Sequence, residues 1–219
     1  CTGIWSRPVP TPLRPMLAAP ALALGLLAGC ATAPSPEPVD DREAAWERHR
    51  ASLSEIQRWE LGGRVAIRAG EEGSRASLDW SQRGERWRVA LYGPFGTGEV
   101  VLRGGPDGAV LEGSQGTYFD RDARALLYRR TGLILPVAAL EYWVRGLPAP
   151  GDVRARELDD RGRLAALTQR GWEVRYTAYG DHGGRALPEA LTATRRDGSV
   201  RLRLAIHDWH FPEASGDAD

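Results

Sequence analysis

The chain has 219 residues, with 29 Lys plus Arg against 29 Asp plus Glu, so its formal net charge is zero. Without net basicity or a run of arginines, nothing in the charge pattern supports a nucleic-acid partner, and none is expected. The length is enough for one domain with a real hydrophobic core and a short tail.

An apolar stretch at residues 17–27 runs into Ala28-Gly29-Cys30. About ten apolar residues are typical of a secretory signal and too few to span a bilayer. The ending Leu27-Ala28-Gly29-Cys30 resembles the lipobox of bacterial lipoproteins. This resemblance implies cleavage before Cys30 and lipid attachment to its sulfur, which makes residues 1–29 a removed signal peptide. The alternative is a buried helix that happens to end in a cysteine.

Residues 30–40 are predicted to be the lipidated cysteine followed by a tether. Three prolines within residues 31–40 favour extended polyproline II, which reaches ~30 Å at about 3.1 Å per residue. Cys30 would be the only cysteine of the mature chain, so no internal disulfide is expected. Ala31 implies sorting to the outer membrane, because an acidic residue after the cysteine retains enterobacterial lipoproteins in the inner membrane.

The folded domain is predicted to cover residues 41–210 and to begin with a helix from Asp41 to Arg58. From Glu60 the apolar period changes to two, as in Val65 and Ile67, with turns predicted at residues 72–73, 83–84, 104–108 and 114. Short strands spaced by about ten residues indicate an antiparallel meander with one apolar face.

Two helices interrupt the strands in the middle of the chain, at residues 123–130 and 137–145. Strands are then predicted at residues 152–158, 163–169, 172–179, 187–195 and 199–209. Residues 211–219 are predicted to be a disordered acidic tail. This order indicates a mostly β, α+β fold in which an open antiparallel sheet of about 10–11 strands is covered by helices.

The residues also resemble the LolB family of outer-membrane lipoproteins. The resemblance spans about residues 42–210 and is carried by a series of short segments in a fixed order. These segments are Trp59-Glu60-Leu61-Gly62-Gly63-Arg64-Val65-Ala66, Leu78-Asp79-Trp80, Leu91-Tyr92-Gly93-Pro94-Phe95-Gly96-Thr97-Gly98, Leu135-Pro136, Tyr142-Trp143-Val144-Arg145-Gly146-Leu147-Pro148, Gln169-Arg170-Gly171-Trp172, Tyr176, Leu187-Pro188 and Ile206-His207-Asp208-Trp209.

This resemblance implies an unclosed β-barrel with a helical lid over an apolar cavity. It implies that the chain accepts acylated lipoproteins from the periplasmic carrier LolA and inserts them into the inner leaflet of the outer membrane. The expected partners are therefore LolA, the acyl chains of client lipoproteins and the membrane. The chain is expected to be a lipid-anchored monomer on the periplasmic face, to have no enzymatic activity, and to carry no cofactor beyond the lipid on Cys30.

The apolar strand positions are candidates for the cavity wall, and apolar positions of the helices are candidates for the lid. Ordinary core packing is the alternative for each, because alternation shows which face a side chain occupies and not whether that face is filled. The wall candidates are Val65, Ile67, Leu78, Trp80, Trp87, Val89, Leu91, Trp172, Val174, Tyr176, Leu202, Leu204 and Ile206, and the lid candidates are Leu126, Leu127, Ile134, Leu140 and Trp143.

A protruding loop with an apolar tip contacts the membrane in this family, and the resemblance places it at Gly93-Pro94-Phe95-Gly96. Relatives often have Leu at the tip, so Phe95 is a departure that keeps the apolar character. The alternative is a plain hairpin turn with Phe95 folded back on the sheet.

Two other functions remain open from the residues alone. His207-Asp208-Trp209-His210 has a spacing that metal sites and catalytic dyads can use, although no metal is expected. An open barrel could also be a lipoprotein module that binds free lipid or another small apolar ligand. No phosphate-binding loop is present, because the sequence has no lysine to complete one.

Overall fold

The computed structural model describes residues 40–93 and 98–212. The predicted signal peptide, Cys30, nearly all of the tether, the loop residues Pro94-Phe95-Gly96 and the tail from residue 213 lie outside these described residues. Within the described part of the chain, no helix is long and apolar enough to cross a bilayer.

The described residues form three helices and eleven strands in the predicted order. The helices are α1 (Arg42–Ser54), α2 (Ala123–Thr131) and α3 (Val137–Trp143). The strands are β1 (Arg58–Ala69), β2 (Glu72–Arg83), β3 (Arg86–Tyr92), β4 (Glu99–Gly105), β5 (Gly108–Gly113), β6 (Gly116–Asp120), β7 (Val153–Leu158), β8 (Leu164–Gln169), β9 (Trp172–Asp181), β10 (Ala186–Arg195) and β11 (Val200–His210).

All eleven strands belong to one antiparallel sheet with the order β6-β5-β4-β3-β2-β1-β11-β10-β9-β8-β7. The first strand pairs with the last, in a register that places Val65 opposite Leu204. The edges are β6 and β7, and the chain passes through α2 and α3 between these two edges. The predicted fold class, an unclosed antiparallel sheet with inserted helices, is confirmed.

Several predicted boundaries differ from the structure; α3, for example, ends at Trp143 and not at residue 145. Helix α1 ends at Ser54 and not at Arg58, because Arg58 and Trp59 already pair with β2. The first hairpin turns at Gly70-Glu71 and not at residues 72–73, since Gly70 adopts a left-handed φ of 59° that other residues disfavour.

Aromatic side chains fill one end of the core. The Trp59 ring centroid lies 5.2 Å from that of Trp80 and 5.5 Å from that of Trp209. Phe211, which the sequence placed in the polar tail, stacks on Trp209 with ring centroids 6.2 Å apart and planes at 6°. The packed chain therefore extends to Phe211.

Candidate functional site

A wholly apolar cavity of about 120 Å³ lies between the inner face of the sheet and the two mid-chain helices. Strands β1 to β5 and β11 supply most of its wall, and α2, α3 and the connector between them supply the remainder. The lining residues are Val65, Ile67, Leu78, Trp80, Val89, Leu91, Val100, Leu102, Leu111, Leu127, Leu135, Val137, Leu140, Leu202 and Leu204.

Strand alternation explains why these side chains converge. Val65 and Ile67 point to one face of β1, while the exposed Arg64 and Arg68 on either side of them point to the other. Val65, Ile67, Val89 and Leu91 are only partly buried although they pack on the core cluster. An incompletely buried apolar wall is what distinguishes this region from the filled core around the tryptophans.

Helix α2 closes one side of the cavity. It begins after Asp122, whose side chain accepts a hydrogen bond from the Arg124 amide at 2.8 Å, and ends at Gly132 with a left-handed φ of 70°. Leu126 and Leu127 on its inner face join a small cluster with Ala109, Leu102 and Leu111 of the sheet. Its polar contacts with the sheet lie at the surface.

Buried hydrogen bonds hold α3 more firmly than the surface contacts hold α2. The Trp143 indole donates a hydrogen bond to Gln169 Oε1 at 3.1 Å, and the Tyr176 hydroxyl donates to the Trp143 carbonyl at 3.0 Å. Gln169 also accepts from the Ala149 amide at 2.9 Å. Burial raises the pKa of Tyr176 well above its ordinary value, so the hydroxyl stays neutral and keeps its proton for this bond.

The end of α3 nearest α1 carries a half-buried carboxyl group. Burial raises the pKa of Glu141, the Arg145 guanidinium opposes the shift, and nearby Glu85 adds to it. Burial likewise lowers the pKa of Arg145. These groups lie in a separate polar cleft of about 600 Å³ between α1, α3 and two hairpin turns, not in the apolar cavity.

The structure places ten of the eighteen predicted cavity and lid residues at the cavity surface: Val65, Ile67, Leu78, Trp80, Val89, Leu91, Leu127, Leu140, Leu202 and Leu204. Trp143, Trp172, Val174, Tyr176 and Ile206 are instead buried in the main core, and Leu126 is buried under α2. Trp87 borders the polar cleft, and Ile134 borders a groove beside α3.

Five lining residues were absent from the sequence prediction: Val100, Leu102, Leu111, Leu135 and Val137. Leu102 and Leu111 face each other in strands that the sequence already indicated, so their alternation was available as a signal. Leu135 and Val137 lie at the start of α3, where the apolar residues show no periodicity that would identify the side facing the cavity. Val100 is 42% exposed and lies at the edge of the cavity.

The root of the predicted membrane loop is described, although its tip is not. The Gly93 amide donates a hydrogen bond to the Gly98 carbonyl at 3.1 Å, which brings the ends of β3 and β4 together. Among residues 40–93 and 98–212, no group of three His, Cys, Asp or Glu side chains is arranged to hold a metal ion, and His207, Asp208 and His210 are exposed.

Comparison with known proteins gives the family. A family model described as LolB, outer membrane lipoprotein LolB, matches residues 57–209. The outer-membrane lipoprotein LolB of Stutzerimonas stutzeri is 40% identical over 196 residues, covering 88% of this chain and 94% of that protein. That of Alkalilimnicola ehrlichii is 41% identical over 190 residues, covering 86% and 93%.

A solved structure shares the fold at low identity. The crystal structure of a DUF1329 family protein from Desulfovibrio piger has a TM-score of 0.52 and 9% identity, covering 84% of this chain and 97% of that one. LolB is a lipoprotein carrier and receptor family and not a known enzyme family. Because the family model covers most of the chain and several relatives reach 40% identity along nearly their full length, this chain belongs to the LolB family of outer-membrane lipoproteins.

Proposed function

We propose that this protein accepts the acyl chains of lipoproteins from the periplasmic carrier LolA and inserts them into the inner leaflet of the outer membrane. The observation that carries the proposal is the apolar cavity under a helical lid in a member of the LolB family. A cavity with no polar lining residue suits alkyl chains, which need no hydrogen-bond partner.

The energetics of a lipoprotein explain why such a cavity is needed. Each buried methylene contributes ~0.8 kcal/mol to membrane retention, so the forty or so methylenes of a triacylated cysteine contribute on the order of 30 kcal/mol. Moving the exposed acyl chains through water is therefore too unfavourable to occur. A receptor must hold the chains continuously between carrier and membrane.

The cavity must expand before it can take a client. Its volume of about 120 Å³ is below the roughly 300–1,000 Å³ of ordinary ligand pockets. Helix α2 and the connector to α3 are the parts that can move, because Leu126 and Leu127 hold α2 mainly by apolar contact. Helix α3 is held by the buried bonds of Trp143 and stays in place.

In this proposal, the client moves only from the carrier to this protein and then to the membrane. The reason is that the membrane binds the acyl chains more tightly than this protein does, and this protein binds them more tightly than the carrier does. No nucleotide or cofactor is required. By resemblance to the family, Gly93-Pro94-Phe95-Gly96 contacts the membrane during release. Lipid on Cys30 places the protein at the periplasmic face of the outer membrane.

A transfer assay tests the proposal. The full chain carrying Cys30→Ala, which removes the predicted lipid site, is mixed with LolA that holds a radiolabelled acylated client. We expect the client to appear on the Cys30→Ala chain, because the lipid serves placement and not acceptance. Absence of transfer from the loaded carrier, together with tight binding of free fatty acid, would favour the alternative of a free-lipid module.

A further inference from the structure

Five arginines form a patch on the outer face of the sheet, opposite the cavity. Arg64, Arg68, Arg75, Arg201 and Arg203 are all exposed and lie on the neighbouring strands β2, β1 and β11. Together they make up the arginine patch. Arg64 and Arg68 alternate with the cavity residues Val65 and Ile67, which places the patch on the opposite surface.

The strand register brings the five side chains close together. Ala66 pairs with Arg75 on one side and with Arg203 on the other, so these two arginines are about 10 Å apart across a small side chain. Arg68 lies directly opposite Arg201. Like charges in directly opposed positions repel and destabilise a sheet.

None of the five has a carboxylate within 4.0 Å among residues 40–93 and 98–212. Arginines on neighbouring strands behave differently. Arg103 makes a bidentate pair with Glu112, with both N–O distances 2.9 Å, and Arg88 pairs with Glu99 at 3.2 Å. Among the described residues, arginines without a carboxylate partner therefore cluster on β2, β1 and β11.

The same face carries acids around the patch, including Glu173 of β9, which pairs with Thr194 on the side opposite Arg201. Asp79 and Asp208 both pair with Gly62, two residues before Arg64 on β1. Positive charge is thus concentrated between the acids beside Gly62 and the exposed Glu71 and Glu72 of the first hairpin. In a protein with zero formal net charge, attraction to an anionic surface depends on such a local asymmetry.

The arginine patch borders an open concavity of about 1100 Å³. Its floor is made of small side chains such as Ala66, Ser77 and Ala205, and Arg64, Arg75 and Arg203 stand around it. Tyr92 and Gly93, at the root of the β3–β4 loop, also line it. A floor of small side chains leaves room for a group that approaches between the guanidinium groups.

We infer that the arginine patch binds the phosphates of anionic phospholipid headgroups at the membrane surface. Guanidinium groups bind phosphate bidentately, and arginine is weakly hydrated compared with an ammonium group, which suits this contact. A membrane is favoured as the partner because the concavity adjoins the root of the loop proposed to contact the bilayer. The inference rests on the proposed function only for that location, since binding to vesicles needs neither carrier nor client.

Vesicle flotation tests the inference with the full chain carrying Cys30→Ala, so that no covalent lipid contributes. Vesicles contain phosphatidylcholine alone or with about 30 mol % phosphatidylglycerol, which gives the surface a negative potential. The patch variant is Arg75→Gln/Arg203→Gln. The matched control is Arg48→Gln/Arg154→Gln, which removes the same charge from two exposed arginines outside the patch.

We expect the parent chain and the control to bind the anionic vesicles more strongly than the neutral ones. The patch variant should lose about fivefold in this preference per arginine, and the preference should weaken at high salt. Equal preference for anionic vesicles in the patch variant and the control would overturn the inference. So would a patch variant that keeps vesicle binding but loses transfer from the loaded carrier, because the patch would then contact a protein. Loss of transfer by the parent chain with vesicle preference intact would contradict the proposed function alone.

Discussion

The Arg145 guanidinium donates a hydrogen bond from Nη1 to the Ile56 carbonyl oxygen at 2.9 Å, joining the end of α3 to the chain that leaves α1. The same nitrogen lies 3.4 Å from the Leu53 carbonyl oxygen, and Nε donates to the Glu141 carbonyl oxygen at 3.2 Å. Arg145 is 5% exposed. One buried side chain therefore supplies a donor to the Ile56 carbonyl just beyond α1 and adds a contact to the Leu53 carbonyl, which already accepts from the Ile56 amide.

Replacing Arg145 should destabilise the fold. Arg145→Met keeps an apolar stem of similar reach but leaves the Ile56 carbonyl without its guanidinium donor, so we expect a loss of about 2–4 kcal/mol in the free energy of unfolding. Urea denaturation measures it. The control Arg154→Met changes an exposed residue of β7 and should stay within about 0.5 kcal/mol of wild type. Equal stability of the two variants would refute this role of Arg145.

The stability of the fold should depend on pH through His49. Burial lowers the pKa of His49, and Arg163 lowers it further while Asp159 opposes the shift. The unfolded chain then binds a proton near the ordinary histidine pKa of about 6.5 more readily than the folded chain does. This contribution to stability is present above that pH and is lost as the pH falls below it.

His49→Gln should therefore lose less stability than wild type when the pH is lowered from 7.5 to 5.5. Chemical denaturation at several pH values gives the comparison. His207→Gln, which changes an exposed histidine, should follow wild type. Parallel pH profiles for wild type and His49→Gln would show that His49 does not contribute.

A third prediction concerns the lid. Gly132 ends α2 with a φ of 70°, and a Cβ atom added there would meet no other atom within 4 Å. Gly132→Ala therefore costs only the left-handed backbone conformation, about 1–2 kcal/mol. Gly84, with a φ of 58° and equally open surroundings, is the matched control in the β2–β3 hairpin. Both variants should lose similar global stability.

Only Gly132→Ala should speed amide hydrogen exchange in α2, because only Gly132 adjoins the lid. Exchange followed by mass spectrometry on peptides covering residues 123–131 gives the measurement. If Gly84→Ala accelerates exchange in α2 as much, or if neither variant does, α2 does not open as a separate unit.

A fourth prediction concerns release into the membrane. Phe95→Glu should leave acceptance from the carrier unchanged and slow the release of the client into vesicles, because a carboxylate at the loop tip disfavours contact with the headgroup boundary. Phe119→Glu is the matched control, since Phe119 is 63% exposed on β6. Identical acceptance and release rates for wild type and Phe95→Glu would contradict the proposed contact of the loop with the membrane.

Alternation and turn residues were enough to predict the sheet and its helical insertion, because both depend on local patterns. The predicted end of α1 was wrong because Ile56 and Trp59 continue the helical spacing of apolar residues. Trp59 instead lies in β1, where its ring packs against Trp80 and Trp209. The turn at Gly70 was misplaced because its neighbours Glu71 and Glu72 are equally compatible with a turn.

The cavity was harder to predict than the sheet, because alternation does not show how far along a strand the inner face stays unfilled. Val174 and Val65 have the same strand pattern, but Val174 is fully buried near Trp172 and Val65 lines the cavity. Leu135 lies in a connector without a period, so only the tertiary structure brings it to the cavity.

If acyl chains occupy the cavity, a polar side chain in its wall should slow their acceptance, and a matched pair of valines allows this comparison. Val89 lines the cavity, whereas Val153 on β7 is 39% exposed and outside it. The measurement is the rate of client transfer from loaded LolA to the chain carrying Val89→Gln or Val153→Gln, after thermal unfolding shows that both variants are folded. A buried amide without a partner costs about 1–3 kcal/mol, so Val89→Gln should slow acceptance by about tenfold or more while Val153→Gln matches wild type. Wild-type transfer rates in both variants would show that the acyl chains do not occupy this cavity.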